Sequence, residues 1–294
     1  MPNFTAVLPN LAGRFVFACF PRYAETRKGA IHLTANHTLS RIRTVLRTPP
    51  VFPDGVPRLR TNLDTNFLKL IAILAMLIDH IGGAFFPEVG WFRWVGRLAF
   101  PIFCYCMTVG LLYTRDIKKY LFRLGLFAVL SQPFYVLAFH PHHFWAELTN
   151  WNIFFTLFLS LLAMYGFMER KWWLFLAALF VVSWWNFDYS GNGILYMLIF
   201  YLCRSRPGIG AALYCAQFLP GLLTGQPGDP LNFTLGGLCI DWSFFAVFAA
   251  PLLFRPTHFD LHVPKWVFYA FYPAHLAVIA VLQFILFRKG IFPC

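Results

Sequence analysis

Polar residues are sparse and clustered along this chain, and the apolar stretches between them are long. From Phe67 to Phe86 the sequence FLKLIAILAMLIDHIGGAFF is a nearly unbroken apolar run of twenty residues, long enough as a helix to cross a bilayer core of about 30 Å. Further apolar runs cover approximately 91–112, 120–139, 151–168, 172–187, 192–203, 209–224, 235–254 and 266–287. The pattern predicts an all-α fold: a polytopic integral membrane bundle of about nine transmembrane helices. The sixth and seventh are short enough to be broken or tilted. A β-barrel would show short alternating segments instead. Residues 1–62 are rich in proline, have no sustained period, and read as a largely disordered tail with a short helix near Leu39–Leu46. The membrane domain is 63–294.

Composition sharpens this picture. Hydrophobic residues make up 59% and charged residues 12% of the 294 positions, and mean hydropathy is +0.61. A soluble domain carries about twice that charge fraction. The formal charge is +12, and the tail holds nine Arg and Lys against Glu25 and Asp54, a net +7. No nucleic-acid motif accompanies it, so it reads as a cytoplasmic tail beside an anionic membrane surface. The apolar core of a signal peptide is missing, since Phe15–Phe20 is too short. Seven cysteines occur without a C-x-x-C pair, which fits buried structural thiols and points to neither a disulfide framework nor a site of thiol chemistry.

Lys and Arg alternate from loop to loop. Arg58 and Arg60 precede the first helix, and Arg115, Lys118 and Lys119 separate the second from the third. Arg170 with Lys171, Arg204 with Arg206, and Arg255 with Lys265 continue the series. The intervening loops hold Glu88 and Arg93, Glu147, Asp188 and Asp229. The positive-inside bias places the N-terminus in the cytoplasm of a multi-pass cell inner-membrane protein. Arg288 and Lys289 disagree, because nine spans put them outside; one miscounted helix within 192–224 would remove the conflict.

Ionisable residues inside such runs mark functional sites by default. Asp79 and His80 lie two thirds of the way along the first run, and Lys69 near its start. Lys69 and His80 are eleven positions apart, three turns plus about 20°, so they share a helix face about 16 Å apart. Arg97, in the descending second helix, reaches the depth of Asp79, and an ion pair between them is expected; it either orients a catalytic group or only staples two helices. His275 lies near the middle of the last run, just after Pro273, which kinks its helix. Asp241 is a further acid in an apolar run. His140, His142 and His143 resemble a metal cluster, but their spacing does not put three ligands on one face, and no metal is expected. Asn150, Asn152 and Thr156, and Asp188, Tyr189 and Asn192, either line an acceptor site or cap helices. No G-x-G-x-x-G, P-loop or H-E-x-x-H occurs.

Taken in order, LKLIAILAMLIDHIGGAFFP, RWVGRLAFPIF, TRDIKKYLFRLGLFAVLSQPFY, NWNIFFTLF, DYSGNGILYMLIFY and FYAFYPAHL resemble the TraX family over most of 63–280. That family is associated with conjugative plasmids and with N-terminal acetylation of pilin. Lys69, ten residues and His80 is also similar to the Arg/Lys-x10-His signature of membrane acyltransferase family three, whose histidine serves catalysis. The resemblance implies an acetyl-CoA-dependent acyltransferase embedded in the bilayer, acting on a pilin-like membrane protein or a glycan. His80 would be the general base, with Asp79, Arg97 and His275 around it. Arg115, Lys118, Lys119 and Arg123 offer cations to the coenzyme phosphates at the cytoplasmic face, with Lys69 on the way inward. Two other classes stand beside this one: a transporter or permease, and a non-catalytic assembly subunit.

Overall fold

The computed structural model describes residues 61–288 apart from Arg115, Pro141, His142, Asn186 and Asp260. The tail up to residue 60, with its expected short helix, therefore lies outside the described residues, as do Arg115 and His142. Thr61 and Asn62, assigned to the tail, are buried: Asn62 donates to Leu252 O at 2.8 Å, and Tyr105 donates to Asn62 O at 2.7 Å.

The first apolar run forms α1, Thr65–Phe85, and stops ahead of Pro87. The second forms two helices, α2 (Gly90–Gly96) and α3 (Ala99–Tyr113), where one was expected. Pro101 explains the break, because it has no N–H to give to the carbonyl of Arg97. Next come α4 (Ile117–Phe139), capped by Asp116, and α5 (Ile153–Met168), capped by Asn152. They are followed by α6 (Trp172–Trp184), α7 (Asn192–Leu202), α8 (Pro207–Ala216) and the single turn α9 (Gly221–Thr224).

The expected helix over 235–254 is not formed as such. Strands β1 (Phe233–Leu235) and β2 (Leu238–Ile240) make an antiparallel hairpin. Its turn is Gly236–Gly237, with φ of 58° and 85°. Two consecutive positive φ values are what a two-residue hairpin turn needs, and glycine adopts them without a Cβ clash. A 3-10 segment, Trp242–Ala249, follows, then α10 (Ala250–Phe254). Asp241, expected inside a span, caps the 3-10 segment by accepting from Ser243 N at 2.8 Å. The chain closes with α11, Lys265–Arg288, containing Pro273.

Among the described residues, four segments are long and apolar enough to cross a membrane: Thr65–Phe85, Gly90–Tyr113, Ile117–Phe139 and Lys265–Leu286. The Gly90–Tyr113 segment is 78% buried against 33% or less for the others, so α3 is the central helix. Trp172 and Trp184, at the two ends of α6, are exposed, as expected for rings at membrane interfaces.

Three of the long helices run in the same direction. Asn66 of α1 donates to Leu261 O, Lys69 stands over the Phe268 ring, His80 meets His275, and Gln283 donates to Ala84 O. Phe127 of α4 stacks on Tyr269, and Phe139 meets His80 edge-on. So α1, α4 and α11 begin at one end of the bundle and finish at the other. The end of α11 lies far from the start of α1, and the disagreement over Arg288 persists.

Candidate functional site

At the end of the bundle where α1 and α4 finish lies a cavity of about 660 Å³, within the usual size of a small-molecule site. Its polar wall is built from residues far apart in sequence: His80, Arg93, Arg97, Asp188, Asn192 and Trp242.

Asp79 is the centre of one cluster. Arg93 Nη1 donates to its Oδ2 at 3.0 Å and Arg97 Nη2 to its Oδ1 at 3.1 Å. The two arginines are four positions apart on neighbouring turns, so both reach the carboxylate from one side. Gly96 lets α2 come this close: a Cβ there would overlap the Asp79 carboxyl. Gly82 plays the reciprocal part on α1, where a Cβ would overlap Phe92. The Arg97 guanidinium also lies 4.3 Å from the Trp242 ring centre and 5.0 Å from that of Tyr189. These faces replace part of the hydration a buried cation loses.

His80 is the centre of the second cluster. Its Nδ1 is 2.7 Å from His275 Nε2, and His275 Nδ1 is 2.7 Å from Phe271 O. His80 lines the cavity, whereas His275 stands behind it, away from the lining. The Phe139 ring packs edge-on to His80 at 5.3 Å.

The third contributor is the loop between α6 and α7. Tyr189 and Ser190 have φ of 64° and 46°, left-handed values that cost strain in non-glycine residues and gather at functional sites. Tyr189 stacks on Phe100 at 4.0 Å. Asp188 carries its carboxyl near Tyr135 OH, at 3.5 Å, and its backbone carbonyl accepts from Thr156 at 2.8 Å. Burial pushes Asp188 up to about 6, against the opposing pull of Arg97.

The structure thus unites Asp79, His80, Arg97 and His275. It does not bring Lys69, Lys118, Lys119 or Arg123 to this cavity. Lys69 faces Phe268, Lys119 pairs with Asp116 at 3.3 Å, and Arg123 lies beside Tyr269. Lys118 precedes the cavity residue Tyr135 by seventeen positions on α4, about 26 Å along the axis. Asn152 caps α5 and donates to Ala128 O and Gln132, so it holds helices together. Arg93, Tyr135 and Trp242 are site residues the sequence reading missed. The spacing of Arg93 to Arg97 was the available signal for the first.

Fold and site together define a helical membrane protein with a cavity, polar on one wall, at one end of its bundle. A family model described as TraX protein matches residues 64–283. The chain belongs to the TraX family. It is 40% identical over 106 residues to a probable fimbrial assembly protein, FimC of serogroup H1, from Dichelobacter nodosus, covering 33% of this chain and 43% of that protein. It is 48% identical over 40 residues to an uncharacterized protein, RP591, of Rickettsia prowazekii (strain Madrid E), covering 14% of this chain and 16% of that protein. The chain therefore spans less than half the length of these curated relatives. No solved structure matches it at a significant level.

Proposed function

We propose that this chain is a multi-pass inner-membrane acyltransferase that moves an acetyl group from acetyl-CoA to an amine or hydroxyl of a membrane-associated acceptor. The observation that supports this best is the placing of an imidazole, His80, beside a guanidinium cluster on the wall of one cavity. An acyl transfer needs both parts. His80 accepts the proton of the neutral amine or hydroxyl as its N or O attacks the thioester carbonyl carbon. Arg93 or Arg97 holds the negative charge that develops on the carbonyl oxygen. The C–S bond then breaks, the thiolate takes the proton back from His80, and acetylated acceptor and free CoA thiol leave.

The fimbrial name of the Dichelobacter relative suggests a pilin-like acceptor. In the proposed topology the N-terminus is cytoplasmic and the chain makes nine traverses. The paired pieces α2–α3 and α8–α9, and the 3-10 segment with α10, then each serve as one crossing. The cavity opens toward the outer face and the Lys118–Arg123 cations lie at the inner one. A second reading, a permease, draws on the broken helices around the cavity. Membranes incubated with acetyl-labelled acetyl-CoA distinguish the two. Label on a membrane acceptor that disappears in His80→Gln supports acyl transfer. Solute uptake without label transfer supports the permease.

A further inference from the structure

His275 does not touch the cavity, yet it is fixed more tightly than the residue that does. Its Nδ1 lies 2.7 Å from the carbonyl oxygen of Phe271, one turn earlier on the same helix. A carbonyl can only accept, so Nδ1 of His275 carries the proton. In the neutral ring the other nitrogen, Nε2, is then an acceptor. That acceptor is 2.7 Å from Nδ1 of His80, in a ring tilted by only 15° from its own. A short contact of this kind between two nitrogens needs one proton between them. It must come from His80, whose proton is thereby drawn to Nδ1 and whose lone pair is left on Nε2.

We propose that His275 is a positioning residue that selects the tautomer of His80, holding its proton at Nδ1 so that Nε2 is the basic nitrogen. The role deepens the acyltransferase reading and rests on it for its purpose, though not for its geometry. An isolated imidazole in water favours neither arrangement strongly. In the bundle, a carbonyl of α11 sets the direction of the whole chain of donors, from His80 through His275 to Phe271. When His80 takes the acceptor proton on Nε2, its Nδ1–H stays donated to His275, so the imidazolium is stabilised without a second proton moving. The carbonyl that starts the chain precedes Pro273 by two positions, and His275 follows it by two. The motif F-x-P-x-H thus places ring and carbonyl on one side of the helix, one turn apart.

Solid-state or detergent NMR of protein labelled with 15N-histidine reads the tautomer directly, without any substrate. The chain has nine histidines, and subtracting the His80→Gln spectrum identifies the two signals of His80. The expected result in the unsubstituted protein is a proton on Nδ1 and none on Nε2 of His80. In His275→Gln the side-chain oxygen stands near the place of Nε2, so the tautomer is retained. In His275→Leu, which has similar size and no acceptor, His80 shifts toward Nε2–H. Acetyl transfer from acetyl-CoA is then expected to fall about 10²–10⁴-fold in kcat for His275→Leu, with the donor KM unchanged and His275→Gln largely rescued. A wild-type His80 protonated at Nε2, or a His80 tautomer indifferent to His275→Leu, overturns the proposal. Full transfer activity in His80→Gln instead removes the base reading and leaves the tautomer result standing.

Discussion

Asp79 holds two guanidiniums, and this asymmetry sets what each substitution should do. Removing Arg93 leaves the carboxylate still bound to Arg97, and Arg93 is the more exposed of the two, at 25% against 10%. Removing the carboxylate strands both cations, one of them deep in the bundle, and breaking a buried pair from one side costs about 3–5 kcal/mol. Asp79→Asn is therefore expected to unfold in detergent at a clearly lower temperature than Arg93→Gln. Equal melting temperatures would mean that the carboxylate is not the centre of the cluster. Asp188 gives a pH signature. Burial raises it from 3.8 to about 6, so the fold favours its protonated form. Its contribution to stability is fully present below the unfolded value of 3.8 and is lost as pH rises through about 6. The loss is of order 2–3 kcal/mol, from the size of the shift. The wild-type melting temperature should fall between pH 4 and 6 by more than that of Asp188→Asn, in parallel thermal scans. Identical pH slopes would place Asp188 in contact with water.

At the scale of elements, the site depends on how closely α2 approaches α1. Gly96→Ala is expected to push the helices apart, separate Arg93 and Arg97 from Asp79, and cost about 1–3 kcal/mol as an overpacked contact. Gly208→Ala in α8, where an added Cβ meets nothing within 4 Å, is the matched control and should leave stability unchanged or slightly raised. A Gly96→Ala protein as stable and active as Gly208→Ala would show that the crossing is loose. Much of this level was legible in the sequence. The long apolar runs gave α1, α4 and α11 within a few residues, because burial and lipid contact both demand continuous apolar surface. The break at Arg97 is also legible in Pro101, but the run around it is so apolar that it reads as one helix. The hairpin at 233–240 was hidden for the same reason. Its Gly-Gly turn sits between residues that suit a strand and a membrane helix equally well, and composition alone cannot choose between them.

At the scale of the whole molecule, the sequence could not show what folds against what. His80 and His275 are 195 positions apart, and their pairing depends on α1 and α11 running the same way, which no local period encodes. The Asp79–Arg97 pair was legible, because adjacent antiparallel helices fix relative depth. The direction of α4 also puts Lys118 about 26 Å, and Arg123 about 18 Å, along the helix from the cavity residue Tyr135. Arg93 and Arg97 are committed to the cavity, while Lys118 and Lys119 stand at the opposite end and Arg123 two turns in from it. If the inner set binds the phosphates of acetyl-CoA, the donor enters from one face and the acceptor from the other. Single cysteines placed at Lys118 and Glu147, in a background lacking the seven native ones, should then react with impermeant reagents from opposite sides of the membrane. The triple substitution of Lys118, Lys119 and Arg123 by Gln should raise the donor KM severalfold and change kcat little, because the nucleotide end is remote from the reacting carbon. An unchanged KM, with the two cysteines still reacting from opposite sides, would keep the topology and move the phosphate site to the cavity end. Arg93, with a quarter of its side chain exposed, is the cation available there.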